Sequence, residues 1–261
     1  MENDRKKKEI RWDLVLFVMG VILLAVYGMF TYQTMQDKKD YEQALTRYEE
    51  LKEYTPITEV EESANTEKRQ SVSYEKMFEA NEDMIGLLQI PGTEVEYPVM
   101  QTMEDEEYYL YRNFFKEDDR NGCLILDTDS DIQKSFNNLI IHGHNMRSGA
   151  MFGNLQKYED ETYAKEHSKI LLYTREECRE YEILAVFRSK VYSVEDKAFK
   201  YYHFFEATTQ EEFNDFYENV MQLRQFDTGI TAEFGDEFIT LSTCVYHTTN
   251  GRLVVIGKRI N

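Results

Sequence analysis

Ile239-Thr240-Leu241-Ser242-Thr243-Cys244 is a run of apolar and small hydroxylated residues that ends at a thiol. Its composition and length read as a buried strand, and the polar stretch Tyr246-His247-Thr248-Thr249-Asn250-Gly251 that follows reads as the turn that ends it. Beyond the turn, Arg252 opens a second apolar strand, Leu253-Val254-Val255-Ile256. Far upstream, Leu139-Ile140-Ile141-His142-Gly143-His144-Asn145 is a third apolar strand, and it delivers histidines at its end. A thiol, an imidazole and a guanidinium at three strand ends are the groups that covalent catalysis requires: a nucleophile, a proton carrier and a holder of developing negative charge.

Working outward, the chain from about residue 73 carries further short strands: Met84 to Ile90, Val95 to Met100, Cys123 to Asp127, Ile170 to Thr174 and Tyr181 to Phe187. Ser73 to Asn81 reads as a short helix capped by Ser73, and Tyr108 to Phe115 as a short helix or turn. Phe213, Phe216, Tyr217, Val220 and Met221 recur at helical spacing, which predicts an amphipathic helix over Thr209 to Leu223. Many short strands with few helices and glycine turns predict a mostly β fold with peripheral helices, closed into a barrel. Roughly 190 residues are available for it, enough for one domain with its own core.

Before that domain, Leu14 to Tyr32 contains no charged residue and is long enough as a helix to cross a bilayer core. A cleavable signal sequence is the alternative, but the stretch ends in bulky residues (Tyr27, Met29, Phe30, Tyr32) and not in a small-x-small site. A retained anchor over 14–32 is the expectation, behind a basic tail over 1–13. Arg5, Lys6, Lys7, Lys8 and Arg11 place the N-terminus in the cytoplasm and everything after the span outside the membrane. Tyr41, Ala44, Leu45, Tyr48 and Leu51 form a narrow helical stripe ended by Pro56, so 33–72 reads as a stalk helix and linker, and 73–261 as the catalytic domain.

The formal net charge is -19; the first 32 residues carry +1, so the remainder carries -20. Such a surface repels phosphate backbones and excludes nucleic acid as the natural partner. Three cysteines, Cys123, Cys178 and Cys244, do not make a disulfide framework, and only Cys244 has a context that points to chemistry. His142 and His144, spaced two apart, raise a zinc site with His167, His203, His247 or a cysteine, but no Cys-x-x-Cys or His-Glu-x-x-His spacing supports it, and no metal or other cofactor is expected.

Thr240-Leu241-Ser242-Thr243-Cys244, the following Arg252 and the Gly143-His144 step after an apolar strand together resemble the sortases, cysteine transpeptidases of Gram-positive cell surfaces. The resemblance runs from about Tyr74 to Ile260. It is greatest to class B, through the helix at Ser73 to Asn81, the segment Asn81-Glu82-Asp83-Met84-Ile85-Gly86, the stretch from His144-Asn145-Met146 to Met151-Phe152-Gly153, and the helix inserted before the Cys244 strand. It implies an eight-stranded barrel and the catalytic trio Cys244, His144 and Arg252. It also implies secreted proteins with a C-terminal sorting motif as substrates, cleaved after threonine, and a peptidoglycan amine as acceptor. Asn113 aligns with a polar residue that lines the class B site, and His142 would shape it from the neighbouring strand. Ser242 and Thr243 leave room around the sulfur and complete the substrate-side candidates. A membrane-anchored thiol protease with water as acceptor, and a surface sensor or adhesin with an inert Cys244, are the rival readings.

Overall fold

The computed structural model describes residues 12–52, 57–58, 71–72, 74–134 and 138–261. Eight strands close into a barrel: β1 (Met84–Gln89), β2 (Glu96–Met100), β3 (Leu124–Leu126), β4 (Asn138–Gly143), β5 (Lys169–Tyr173), β6 (Cys178–Lys190), β7 (Phe238–Cys244) and β8 (Gly251–Arg259). Around the barrel they run β8-β6-β5-β1-β2-β3-β4-β7 and back to β8, so the barrel itself has no free edge. Two neighbouring pairs are parallel, β2 with β3 and β4 with β7; the other pairs are antiparallel.

The strand alternation divides the core into an inside and two outer layers. Ile239 and Leu241 of β7, Leu253 and Val255 of β8, and Leu139 and Ile141 of β4 point into the barrel with Leu88, Val99 and Leu172. On the outside, Phe238, Val254 and Ile256 lie beneath α4 (Gln210–Leu223), which lays Phe213, Phe216 and Val220 on them. Phe204 stacks on Phe216 at 3.7 Å between ring centroids. Being covered on both faces is why β7 and β8 are buried along most of their length, the outer hydroxyls Thr240 and Ser242 of β7 being engaged by Asn138 Oδ1 and Tyr201 OH. α4 begins at a capping box in which the Thr209 side chain accepts from Glu212 N and Glu212 reaches back to Thr209 N. A second outer layer packs α2 (Glu75–Ala80) and the 3-10 turn Tyr108–Tyr111 over Met84, Met100 and Ile125.

Some boundaries differ from the sequence expectation. β6 runs from Cys178 to Lys190, well beyond the expected Tyr181 to Phe187. Pairing with both β5 and β8 keeps its polar ends in the sheet. The 3-10 turn Gly153–Glu159 and α3 (Glu161–Glu166) were not foreseen, although Asp160 gives a cap signal by accepting from Tyr163 N at 2.9 Å. Ser73 lies outside the described residues, and α2 is preceded by Tyr74, whose side chain makes no cap bond. The basic tail before Trp12, Pro56 and most of the expected linker also lie outside them; within the linker, Ile57–Thr58 pairs with Ser71–Val72.

The apolar span and the charged stalk form one continuous helix, α1 (Trp12–Lys52), of 41 residues and roughly 60 Å. Within its Trp12–Gln43 part an 18-residue window reaches a mean hydropathy of 2.5 and is not buried against the rest of the chain, so its length and composition suit a bilayer crossing.

Candidate active site

Strand register assembles the three side chains that the sequence leaves far apart. β4 and β7 run parallel with His142 opposite Ser242 and Gly143 opposite Thr243, so His144 follows at the level of Cys244. On the other side of β7, Arg252 of β8 is the direct partner of Cys244. The three residues thus form one rung across adjacent strands about 5 Å apart. Even-numbered positions of β4, β7 and β8 share the outer face here, so His144, Cys244 and Arg252 lie on it together. Cys244 is exposed, and His144 and Arg252 are half-buried beside it.

Local bonds hold the rung. Thr243 Oγ1 donates to Gly143 O at 2.7 Å, tying β7 to β4 just below the thiol. Asn145 Nδ2 donates to Cys244 O at 2.6 Å, and Phe152 N to His144 O at 3.0 Å. Val245 N donates to Gly251 O at 3.0 Å and closes the β7–β8 turn before Arg252. The imidazole of His144 is oriented by Leu110 O, 2.8 Å from Nε2, and by the Tyr111 ring, whose centroid lies 5.3 Å away. A carbonyl only accepts, so Nε2 carries the proton and Nδ1 is the nitrogen free for chemistry. Arg252 Nη1 donates to Gly251 O at 3.1 Å; Nε and Nη2 have no hydrogen-bond partner among the described residues.

Gly143 is required at the step between the two histidines. A Cβ there would lie 2.6 Å from both Leu124 Cδ2 and Phe152 Cδ2, inside the packed barrel. Gly143→Ala is expected to cost about 1–3 kcal/mol through overpacking. The measurement is the thermal midpoint, and peptide turnover should fall with it, because the displaced residue carries His144.

The remaining candidates are placed differently from the expectation. Ser242 and Thr243 are buried, and their hydroxyls are engaged by Tyr201 OH at 2.8 Å and Gly143 O, so they brace the strand and do not open space around the sulfur. Asn113 is also buried; its Oδ1 accepts from Phe115 N and Glu117 N and closes the 113–117 loop. From that region it is Leu110 and Tyr111 that reach His144, and sequence reasoning passed over both because a backbone carbonyl leaves no trace in residue type. His142 Nε2 faces Asp127 Oδ2 at 3.3 Å. Glu106, Asp127 and His142 hold donor atoms within 4.8 Å of one another, whereas His144 bonds to Leu110 and His167 to Pro91 O, so the two histidines do not share a metal-type cluster. Burial pushes up the thiol of Cys123, inside the outer layer, and also raises that of Cys178.

The sortase-domain family profile matches residues 88–260. The chain belongs to the sortase family. Sortase B of Listeria monocytogenes is 30% identical over 254 residues, covering 95% of this chain and 96% of that protein. Sortase B of Staphylococcus aureus is 23% identical, covering 96% and 99%. A crystal structure of sortase B from Bacillus anthracis superposes with a TM-score of 0.68 at 28% identity, over 87% of this chain and 99% of that one. The protein is therefore a class B-like sortase, a cysteine transpeptidase with the closed eight-stranded barrel of its family. Sortases act on sorting-motif substrates and cell-wall amine acceptors, and this barrel presents its strand-end thiol at the surface, where a peptide can reach it.

Proposed function

We propose that Cys244, His144 and Arg252 carry the transpeptidation, with the rung of three adjacent strands as the observation that supports it. The thiolate of Cys244 attacks the carbonyl carbon of the threonine in a sorting motif near the C-terminus of a secreted protein. The tetrahedral oxyanion is held by the Arg252 guanidinium, whose Nε and Nη2 are unengaged. As the peptide C–N bond breaks, His144 Nδ1 gives the departing amine the proton it has taken from the Cys244 thiol, leaving a thioester on Cys244. A peptidoglycan amine then attacks the thioester carbon, His144 takes its proton, the C–S bond breaks, and the thiolate is restored. No redox step or cofactor enters this balance.

In the same reading, residues 1–13 are a cytoplasmic tail, 14–32 the membrane anchor, 33–72 the stalk and linker, and 73–261 an extracellular catalytic domain. The basic cluster ahead of the span supports that orientation.

The test incubates the protein with quenched fluorescent peptides carrying varied sorting motifs, with and without a peptidoglycan-like amine, and identifies products by mass spectrometry. Cleavage after threonine with the amine joined to the new C-terminus is the expected result. Cleavage with water as acceptor under every condition would instead make the protein a thiol protease.

A further inference from the structure

The membrane-proximal helix reaches the catalytic histidine through one loop. The last third of α1 docks on the corner 117–121: Arg120 Nη1 meets Asp40 Oδ2 at 3.1 Å, Asn121 Nδ2 donates to Asp40 O at 3.2 Å, and Arg47 Nη2 meets Glu117 Oε2 at 2.9 Å. Asp40 is 6% exposed although it sits on a stalk, and Leu51 packs against the outer layer that contains Phe114 and Cys123. The corner is in turn layered on the 3-10 segment. Asp119 N donates to Tyr111 O, Cys123 N to Tyr109 O, and Gly122 N to Asp119 O, all within 3.1 Å. Gly122 has φ +61, and a Cβ on it would lie 2.2 Å from Leu110 O, so corner and segment leave no space between them. Leu110 O is the atom that accepts from His144, with the Tyr111 ring beside it. Stalk, corner, segment and imidazole are therefore four successive layers in contact.

We infer that Asp40 and Arg47 are positioning residues, which dock the stalk on the 117–121 corner and thereby hold Leu110 and His144 in working register. The catalytic consequence rests on the reading of His144 given above; the positioning itself does not. The exposed Arg47–Glu117 pair adds little stability by itself, but its reversal sets like charges against each other at the docked face, and a small displacement of a catalytic group is costly in rate. The sortase is in this way most active with its own stalk attached, and the domain is borne by the helix at a fixed height and not on a free tether.

The experiment uses the full chain in lipid nanodiscs and compares Arg47→Glu, Asp40→Lys and the conservative Arg47→Lys with the native protein. Hydrogen–deuterium exchange is read at the 108–122 amides, at the His144 ring C2 position, and at β7 and β8 as a control for the intact barrel. Peptide cleavage gives kcat and KM. Both charge reversals should speed exchange at 108–122 and alter that of His144 while β7 and β8 stay protected. In the same variants kcat should fall about tenfold with KM within about twofold, and Arg47→Lys should restore both. Unchanged exchange at the loop and His144 overturns the proposal whatever the activity, and so does a loosened loop with native kcat. If a variant loses barrel protection, the other reversal decides. A native chain with no Cys244-dependent cleavage, but with His144 exchange that answers to Arg47, would retain the positioning and overturn only the catalytic reading.

Discussion

With Cys244 as the proposed nucleophile, Cys244→Ala is expected to lower kcat/KM for a sorting-motif peptide by roughly 10⁴-fold or more, because a covalent route has no substitute for its nucleophile. The other thiols cannot stand in. Cys123 is buried in the outer layer, and burial holds its thiol protonated. Cys178 is exposed, but it begins β6, whereas the Arg252 rung meets that strand at Ser189. Eleven residues of strand separate the two positions, roughly 35 Å. The distinguishing observation is the acyl-enzyme. Intact-protein mass spectrometry of the native chain with peptide and no added amine shows a mass increase equal to the N-terminal fragment, mapped to Cys244, and the alanine variant shows none. An adduct on Cys178 would refute the assignment.

His144→Ala loses about 10²–10⁴-fold in kcat, the usual size of a general acid–base contribution. His144→Gln separates chemistry from architecture. Its amide can still donate to Leu110 O, so the 108–122 loop keeps its native exchange rates, yet it carries no proton between thiol, leaving amine and attacking amine. Turnover should therefore be as low as in the alanine variant. His142→Ala is the control two residues away on the same outer face. It breaks the contact with Asp127 and not the rung, and the expected loss is under about tenfold. If His142→Ala were the more damaging of the two, the assignment of the proton carrier would be reversed.

Much of the architecture was readable in the order of residues. Ile239 to Thr243, Leu253 to Ile256 and Leu139 to Ile141 carry only apolar or small hydroxylated residues, which suits a covered strand, and the structure buries every one of them, with Val254 and Ile256 beneath α4. The helical spacing of Phe213, Phe216, Tyr217, Val220 and Met221 announced α4, which runs from Gln210 to Leu223. The readings that departed from the structure were those depending on what a side chain faces. Ser242 and Thr243 are small and polar, which fits either a lining or a brace, and it is Tyr201, forty-one residues upstream of Ser242, that makes Ser242 a brace. Asn113 is a polar residue in an aromatic segment, and its turn-closing role depends on the backbone of Phe115 and Glu117 curling back to it.

The sequence by itself determined which side chains are available for chemistry, that they stand at strand ends, and that an uncharged helix precedes the domain, because these follow from composition and local periodicity. Only the tertiary structure decided that His144, Cys244 and Arg252 share one rung. That depends on the parallel pairing of β4 with β7 across ninety-odd residues and on the antiparallel pairing of β7 with β8. A shift of one residue in either pairing would turn a side chain to the opposite face of the sheet. It also decided that Leu110 O selects the tautomer of His144, since backbone carbonyls are common to all residues and only the path of the chain brings one within 2.8 Å of the ring.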